Sequence, residues 1–270
     1  MKFGNAAWGF RETPLKKQLQ ITKEMGLSIL ELGIANAPND IKIGEDTKIV
    51  KELYQKYGIE LVCAATGNDF TTGSRDDVTK LMAVIDMCAD MEIKYLRIFA
   101  GFSPAEDVVG ERWDIMIGCL RTIAQYAKEK NVIPVIETHG GVNAFADGGV
   151  CHFHTVTTKI ELLEKMLSLL PENIGINYDP ANLYAVGIKA PEEVYKRIKD
   201  KVCYIHMKDF APMPSGHIKP AACGESDMNW ESIIREIGKR DIIAIFEYEN
   251  TEDIKEGCVR CYNHIKQFIR

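Results

Sequence analysis

The sequence predicts a single-domain α/β protein, a (β/α)8 TIM barrel over residues 1–270, and three observations carry that expectation. Short β-rich runs alternate with amphipathic helical stretches from one end of the chain to the other. Many of these runs are unbroken Ile, Val and Leu rather than alternating, as parallel strands covered on both faces require. Eight strand–helix units in 270 residues average about 34 residues each, close to the spacing of a closed barrel. An open doubly wound sheet also alternates strands and helices, but no strand here runs into a Gly-rich dinucleotide turn.

The strands are expected at residues 2–8, 29–33, 60–65, 95–99, 132–137, 174–179, 202–207 and 242–247. The helices between them are expected at 14–25, 46–57, 76–91, 112–130, 159–169, 191–198, 230–237 and 253–268. Several open on proline or an acidic first turn, as in Ala190-Pro191-Glu192-Glu193. Residues 138–156, rich in Gly and His, and 210–229, rich in Pro, Gly and Ser, read as long irregular loops. Each follows a strand, so in a barrel both lie over the catalytic face.

Composition narrows the function. A net charge of −6 is a poor match to nucleic acid or an anionic membrane, so neither is an expected partner. The eight cysteines are spread thinly, and Cys63 and Cys203 sit inside apolar runs as small core residues. The one close pair, Cys258 and Cys261, has no second pair to complete a zinc site. No apolar run follows Lys2, and none approaches membrane-spanning length, so a reducing cytoplasm is the expected location.

In a barrel, reactive groups collect at the carboxyl ends of the strands. The last four strands end in VIETHGG, INYDPANL, YIHMKDF and IFEYEN. Glu137, Asp179, His206 and Glu247 are separated by 42, 27 and 41 residues, roughly one per βα unit. Carboxylates at strand ends also cap helices or pair with lysines, but four in register point to one shared site. Strand parity leaves the choice within each pair open, because Glu137 and His139, His206 and Lys208, and Glu247 and Glu249 point the same way. Three carboxylates and an imidazole form a hard, oxygen-rich set. It suits Mn2+ first, with Mg2+, Co2+ or Zn2+ also compatible.

These motifs resemble the xylose isomerase-like TIM barrels, a superfamily of sugar isomerases and epimerases that also includes endonuclease IV. The resemblance rests on IETHGG, YDPANL, HMKD and FEYE, with GESDMNW downstream, and spans at least residues 132–249. It implies that Glu137, Asp179, His206 and Glu247 hold the metal and that Glu137 and Glu247 are also catalytic. His139 and Lys208 then hold substrate oxygens or orient a ligand, with Glu249 behind them. The implied chemistry is proton abstraction next to a carbonyl through a metal-stabilised enediolate, on a sugar or keto-sugar derivative. Ketose 3-epimerases commonly carry His three residues after the metal Asp, where this chain has Asn182, and an Arg where it has Ala211-Pro212-Met213-Pro214. Asn182 remains a candidate to bind a substrate hydroxyl. The chain looks more like the branch that includes inosose dehydratases and epimerases of keto-sugar derivatives.

Other residues carry two readings each. Glu225 in CGES either holds a substrate hydroxyl or caps the helix at Trp230, and Trp8 and Phe70 either wall the pocket or pack in the core. His152, His154 and His217 lie in the long loops, and Arg97 needs a partner if it points into the barrel. The rival chemistry is dehydration of a keto-inositol, which begins with the same proton abstraction. An endonuclease IV-like reaction needs more strand-end histidines and a basic groove, and a noncatalytic barrel would not keep both glutamates. The expected partner is a small sugar or polyol, and assembly as a homodimer or homotetramer is compatible with the family.

Overall fold

A computed structural model describes residues 1–269. The chain runs β1 (Lys2–Asn5), α1 (Leu15–Glu24), β2 (Ile29–Leu30), β3 (Leu32–Gly33), α2 (Thr47–Tyr57), β4 (Cys63–Ala65) and α3 (Asp77–Asp90). It continues through β5 (Tyr95–Ile98), α4 (Glu111–Glu129), β6 (Ile133–Glu137), β7 (Gly141–Ala144), β8 (Val150–Phe153), α5 (Ile160–Leu169), β9 (Gly175–Tyr178), α6 (Pro180–Ala185) and α7 (Pro191–Ile198). The last elements are β10 (Val202–Met207), β11 (Asp209–Pro212), β12 (Ile218–Ala221), α8 (Trp230–Ile237), β13 (Ile243–Phe246) and α9 (Ile254–Ile265).

Local sequence explains where the helices begin and end. Asp46 caps α2 by accepting the Lys48 amide proton, and Gly58, at φ 69°, ends that helix in the left-handed region. Pro191 opens α7, with Glu192 and Glu193 in its first turn and Lys196 and Arg197 in its last. In α4 the buried Trp113, Met116, Ile117, Leu120, Ile123, Ala124 and Ala127 form one apolar stripe at helical spacing.

All strands of the large sheet are parallel, in the order β2-β1-β13-β10-β9-β6-β5-β4-β3. The two ends of that order, β2 and β3, are halves of one run that change partners at Glu31, so the sheet closes on itself as the (β/α)8 barrel predicted. Close approach at this seam needs Gly4, where a Cβ would stand 2.5 Å from the Ile29 carbonyl oxygen.

Period-two alternation then stacks the barrel interior in layers. Ile29, Val135, Tyr204 and Ile245 join Ala6 and Cys63 in a buried apolar cluster inside the barrel. Two residues further along the same strands, on the same face, stand Glu31, Glu137, His206 and Glu247. A dry floor therefore lies directly beneath the polar layer, while the larger core packs between strands and helices. All eight cysteines are free thiols, and Cys258 and Cys261 are buried on α9.

Each of the two stretches expected as an irregular loop instead carries an ordered β-hairpin, while 222–229 remains irregular. β7 and β8 form one antiparallel hairpin, β11 and β12 another, and Ile218 pairs with Val150 to join them in a four-stranded sheet. Their Gly and Pro content hid the pattern; Gly141 is required because the Phe153 ring lies where its Cβ would be. The hairpin tips also meet, with His217 stacked on Phe145 and its Nδ1 2.9 Å from Asp147 Oδ2. The segment at 180–185 folds as α6, which was not anticipated.

Asp209 anchors the second hairpin. Its Oδ2 accepts protons from the Gly224 amide at 2.9 Å and the buried Trp230 Nε1 at 3.0 Å. Replacing Trp230 by Phe keeps most of the ring and strips the carboxylate of one donor. Urea unfolding should show a loss of about 1.5–3 kcal/mol. A loss under roughly 0.5 kcal/mol would mean that this bond does not hold the hairpin.

Candidate metal centre

Glu137 closes β6, Asp179 follows β9, His206 lies in β10 and Glu247 follows β13. All four side chains are buried, and each offers one ligand atom such that the four atoms lie within 4.8 Å of one another. Asp179 has two tasks. Its Oδ1 caps α6 by accepting the Asn182 amide proton at 2.9 Å, with Pro180 next in the helix, and its Oδ2 is left without a hydrogen-bond partner.

The imidazole of His206 is oriented from behind. Nε2 stands 3.1 Å from Glu31 Oε1, which also accepts the Tyr204 hydroxyl proton at 2.8 Å. With Nε2 facing Glu31, the ring turns Nδ1 toward Glu247 Oε1 at 3.3 Å and Glu137 Oε1 at 3.8 Å. Nδ1 is buried and has no hydrogen-bond partner. A carboxylate behind a histidine whose other nitrogen is free is the usual support of a metal-bound imidazole. Nδ1 and Asp179 Oδ2, buried without a hydrogen bond and facing the same cluster, thus fit a divalent cation. The charge balance agrees, because Glu31, Glu137, Asp179, Glu247 and Glu249 outnumber Arg97 and Lys208.

Lys208 and Arg97 neutralise part of this charge. Lys208 Nζ donates to Glu247 Oε2 at 2.7 Å and Glu249 Oε1 at 2.8 Å, and lies 3.4 Å from Asp179 Oδ2. Arg97 finds its partner in Glu137, with Nε 3.3 Å from Oε2, while Nη1 donates to the Thr66 carbonyl. Burial and Glu247 push the Glu137 carboxyl up, but His206 and Arg97 outweigh them and hold it at about 2. Burial likewise opposes ionisation of Glu247, but the charges of His206 and Lys208 keep it well below the usual range. Asp179 is pushed up to about 7 by burial, with Lys208 opposing and Glu137 and Glu247 adding to the rise. For His206, burial favours the neutral ring, but Glu247 and Glu31 push it well above its ordinary value. The cluster demands positive charge at its centre.

Of the candidate substrate contacts, His139, Asn182, Lys208 and Trp8 line a cavity of about 480 Å³ above the cluster. Asn182 Nδ2 donates to Glu137 Oε1 at 3.0 Å, so it positions that glutamate as well as facing the cavity. His139 Nδ1 pairs with the Gly140 carbonyl, and burial pulls the ring's pKa down. Trp8 belongs to a 3-10 turn after β1 rather than to the strand itself, and the Arg11 guanidinium lies over its ring. Glu225 stands outside this cavity, where it binds the Ala222 amide and Arg260. Phe70 is buried in the core, and His154 and His217 do not line the cavity.

Glu31 was not anticipated, although an acidic residue inside the apolar run ILELG is itself a signal that a buried partner exists. His152 and Phe210 also join the cavity wall, because the two hairpins fold over it.

No curated protein sequence matches the chain. Among solved structures, the probable 3-DHS dehydratase from Bacillus anthracis superposes with a TM-score of 0.78 at 15% identity, covering 98% of this chain and 99% of that one. D-allulose 3-epimerase from Methylomonas sp., in complex with D-allulose, gives 0.74 at 15% identity, covering 99% and 96%. The IOLI protein with a bound zinc atom gives 0.73 at 17% identity, covering 100% and 99%. At these identities the likeness is one of fold. A sequence profile described as xylose isomerase-like TIM barrel matches residues 19–263, nearly the whole barrel with its metal-type cluster, and the chain belongs to that family.

Proposed function

We propose that this protein is a divalent-metal-dependent isomerase or epimerase of a sugar or keto-sugar derivative, with Mn2+ as its ion. One observation carries the reading. Glu137 and Glu247, on strands separated by β9 and β10, bring their carboxylates within 4 Å of the same His206 nitrogen, beneath a cavity of sugar-binding size. Glu137, Asp179, His206 and Glu247 are the residues that would hold the ion. When bound, a divalent cation supplies Lewis-acid polarisation of a carbonyl and its neighbouring hydroxyl.

The chain's own groups do the rest. Glu247, kept ionised by Lys208, takes the proton from the carbon beside the carbonyl. Glu137, held by Arg97 and Asn182, would relay a proton taken up from solvent to the other side of the substrate, while Glu247 releases to solvent the proton it took. Return to the opposite face of the same carbon is epimerisation; return to the neighbouring carbon is aldose–ketose isomerisation. His139 and Asn182 face the cavity where substrate hydroxyls would lie. Similarity in fold to D-allulose 3-epimerase supports this reading. Among the described residues no helix is long and apolar enough to cross a membrane.

A second reading, dehydration of a keto-inositol type of substrate, draws support from Asn182 in place of the epimerase His and from the fold of the probable 3-DHS dehydratase. Two measurements test the proposal. Mn2+ at a hundredfold its Kd should stabilise the chelated protein by about 2.7 kcal/mol, raising Tm by roughly 5–10 °C. NMR of product formed in D2O should show solvent deuterium on carbon with no loss of water. Loss of water would select the dehydratase, and no response to any divalent ion would sink both readings.

A further inference from the structure

Beside the acidic cluster, much of the cavity lining is apolar, built by Trp8, Phe99, Phe102, Val142, Val150 and Phe210, with Asn36 and His152 as further polar groups. Phe99 and Phe102 lie 4.6 Å apart between ring centroids, and both meet His139 edge-on. Across from them the two hairpins supply Phe210, against which the His152 ring packs at 4.8 Å. His152 Nδ1 is buried and has no hydrogen-bond partner, although its ring lines the cavity.

Size and charge both bear on what fits. Even at the ~30 Å³ that a water molecule occupies in the liquid, the heavy atoms of a ketohexose fill at most about 360 Å³. The cavity measures about 480 Å³, within the range that holds larger ligands. A phosphate would need a free cation, and the cationic side chains in the lining are engaged: Lys208 with Glu247 and Glu249, Arg97 with Glu137. Burial holds His152 down at about 3, so it meets the ligand as a neutral ring.

We infer that the substrate is a keto-sugar or keto-polyol bearing an apolar, planar substituent rather than a phosphate. The substituent sits among Trp8, Phe102 and Phe210, and the oxygen that links it to the sugar faces His152. Aromatic faces bind such a group through buried area and stacking. This rests on the function proposed above and adds the class of substrate to it.

Three ligands on one scaffold test it: D-fructose, D-fructose 6-phosphate and 6-O-benzyl-D-fructose, titrated calorimetrically into the Mn2+-loaded protein. The benzyl ether should bind at least about tenfold more tightly than the other two. Phe102→Leu, which keeps volume but removes the planar face, and His152→Ala should each reduce that ratio by about threefold or more. Equal affinities, or tighter binding of the phosphate, would overturn the inference while leaving the proposed function standing. So would Mn2+ uptake with none of the three ligands bound. Failure to take up Mn2+ at all would overturn the proposed function and this inference with it.

Discussion

Replacing Glu247 by Gln should lower kcat by about 10³-fold or more at saturating Mn2+, with the fold intact by circular dichroism. The amide keeps the shape of the carboxylate and one of its oxygens, so the change isolates loss of the base. It also leaves Lys208 with Glu249 as its remaining close partner at 2.8 Å, which limits the structural damage. Glu249→Gln is the control, because Glu249 reaches the cluster only through Lys208 and should cost far less. Metal content of each variant must be measured alongside kcat, since Glu247 belongs to the ligand cluster as well. A Glu247→Gln enzyme that is fully metallated and within about tenfold of the parent would remove Glu247 from the role of base.

The second large effect falls on a residue outside the ligand set. Glu31→Gln should weaken Mn2+ binding by about 10–100-fold, read by competition with a calibrated chelator. Glu31 Oε1 receives both His206 Nε2 and the Tyr204 hydroxyl, while Oε2 accepts the Ala7 amide proton at 3.2 Å. An amide has one oxygen for these three donors. Whichever way it turns, its NH2 faces a donor, and the imidazole loses either its orientation or the negative charge that raises the basicity of Nδ1. Both losses would weaken the hold of His206 on a bound ion and leave the cavity walls untouched. A change in affinity of less than about twofold would show that His206 is held by packing alone.

Much of the barrel was legible because its signals are local. Unbroken apolar runs mark strands covered on both faces, and period and register bring Glu137 or His139, Asp179, His206 or Lys208, and Glu247 or Glu249 to successive strand ends, while the choice within each pair rested on the family resemblance. The hairpins over the cavity were not legible. Glycine and proline in 138–156 and 210–229 read as loop, and β pairing there depends on partners in the other segment, as with Ile218 and Val150. Glu225 shows the same limit, since only the approach of Arg260 from α9 draws it out of the cavity region.

By itself the sequence determined the alternation of barrel strands and helices and which strand ends carry acid and imidazole, because each of these is set by periodicity within a short stretch of chain. Tertiary structure alone decided the pairings across the barrel. Glu31 lies 175 positions from His206 and meets it only when the sheet closes at the β2–β3 seam. Arg97 reaches Glu137 and Lys208 reaches Glu247 because β5 lies beside β6 and β10 beside β13, and His152 reaches Phe210 because the two hairpins pair. A buried charge needs a partner, but which residue supplies it is a question of distance in space, and no local pattern along the chain encodes it.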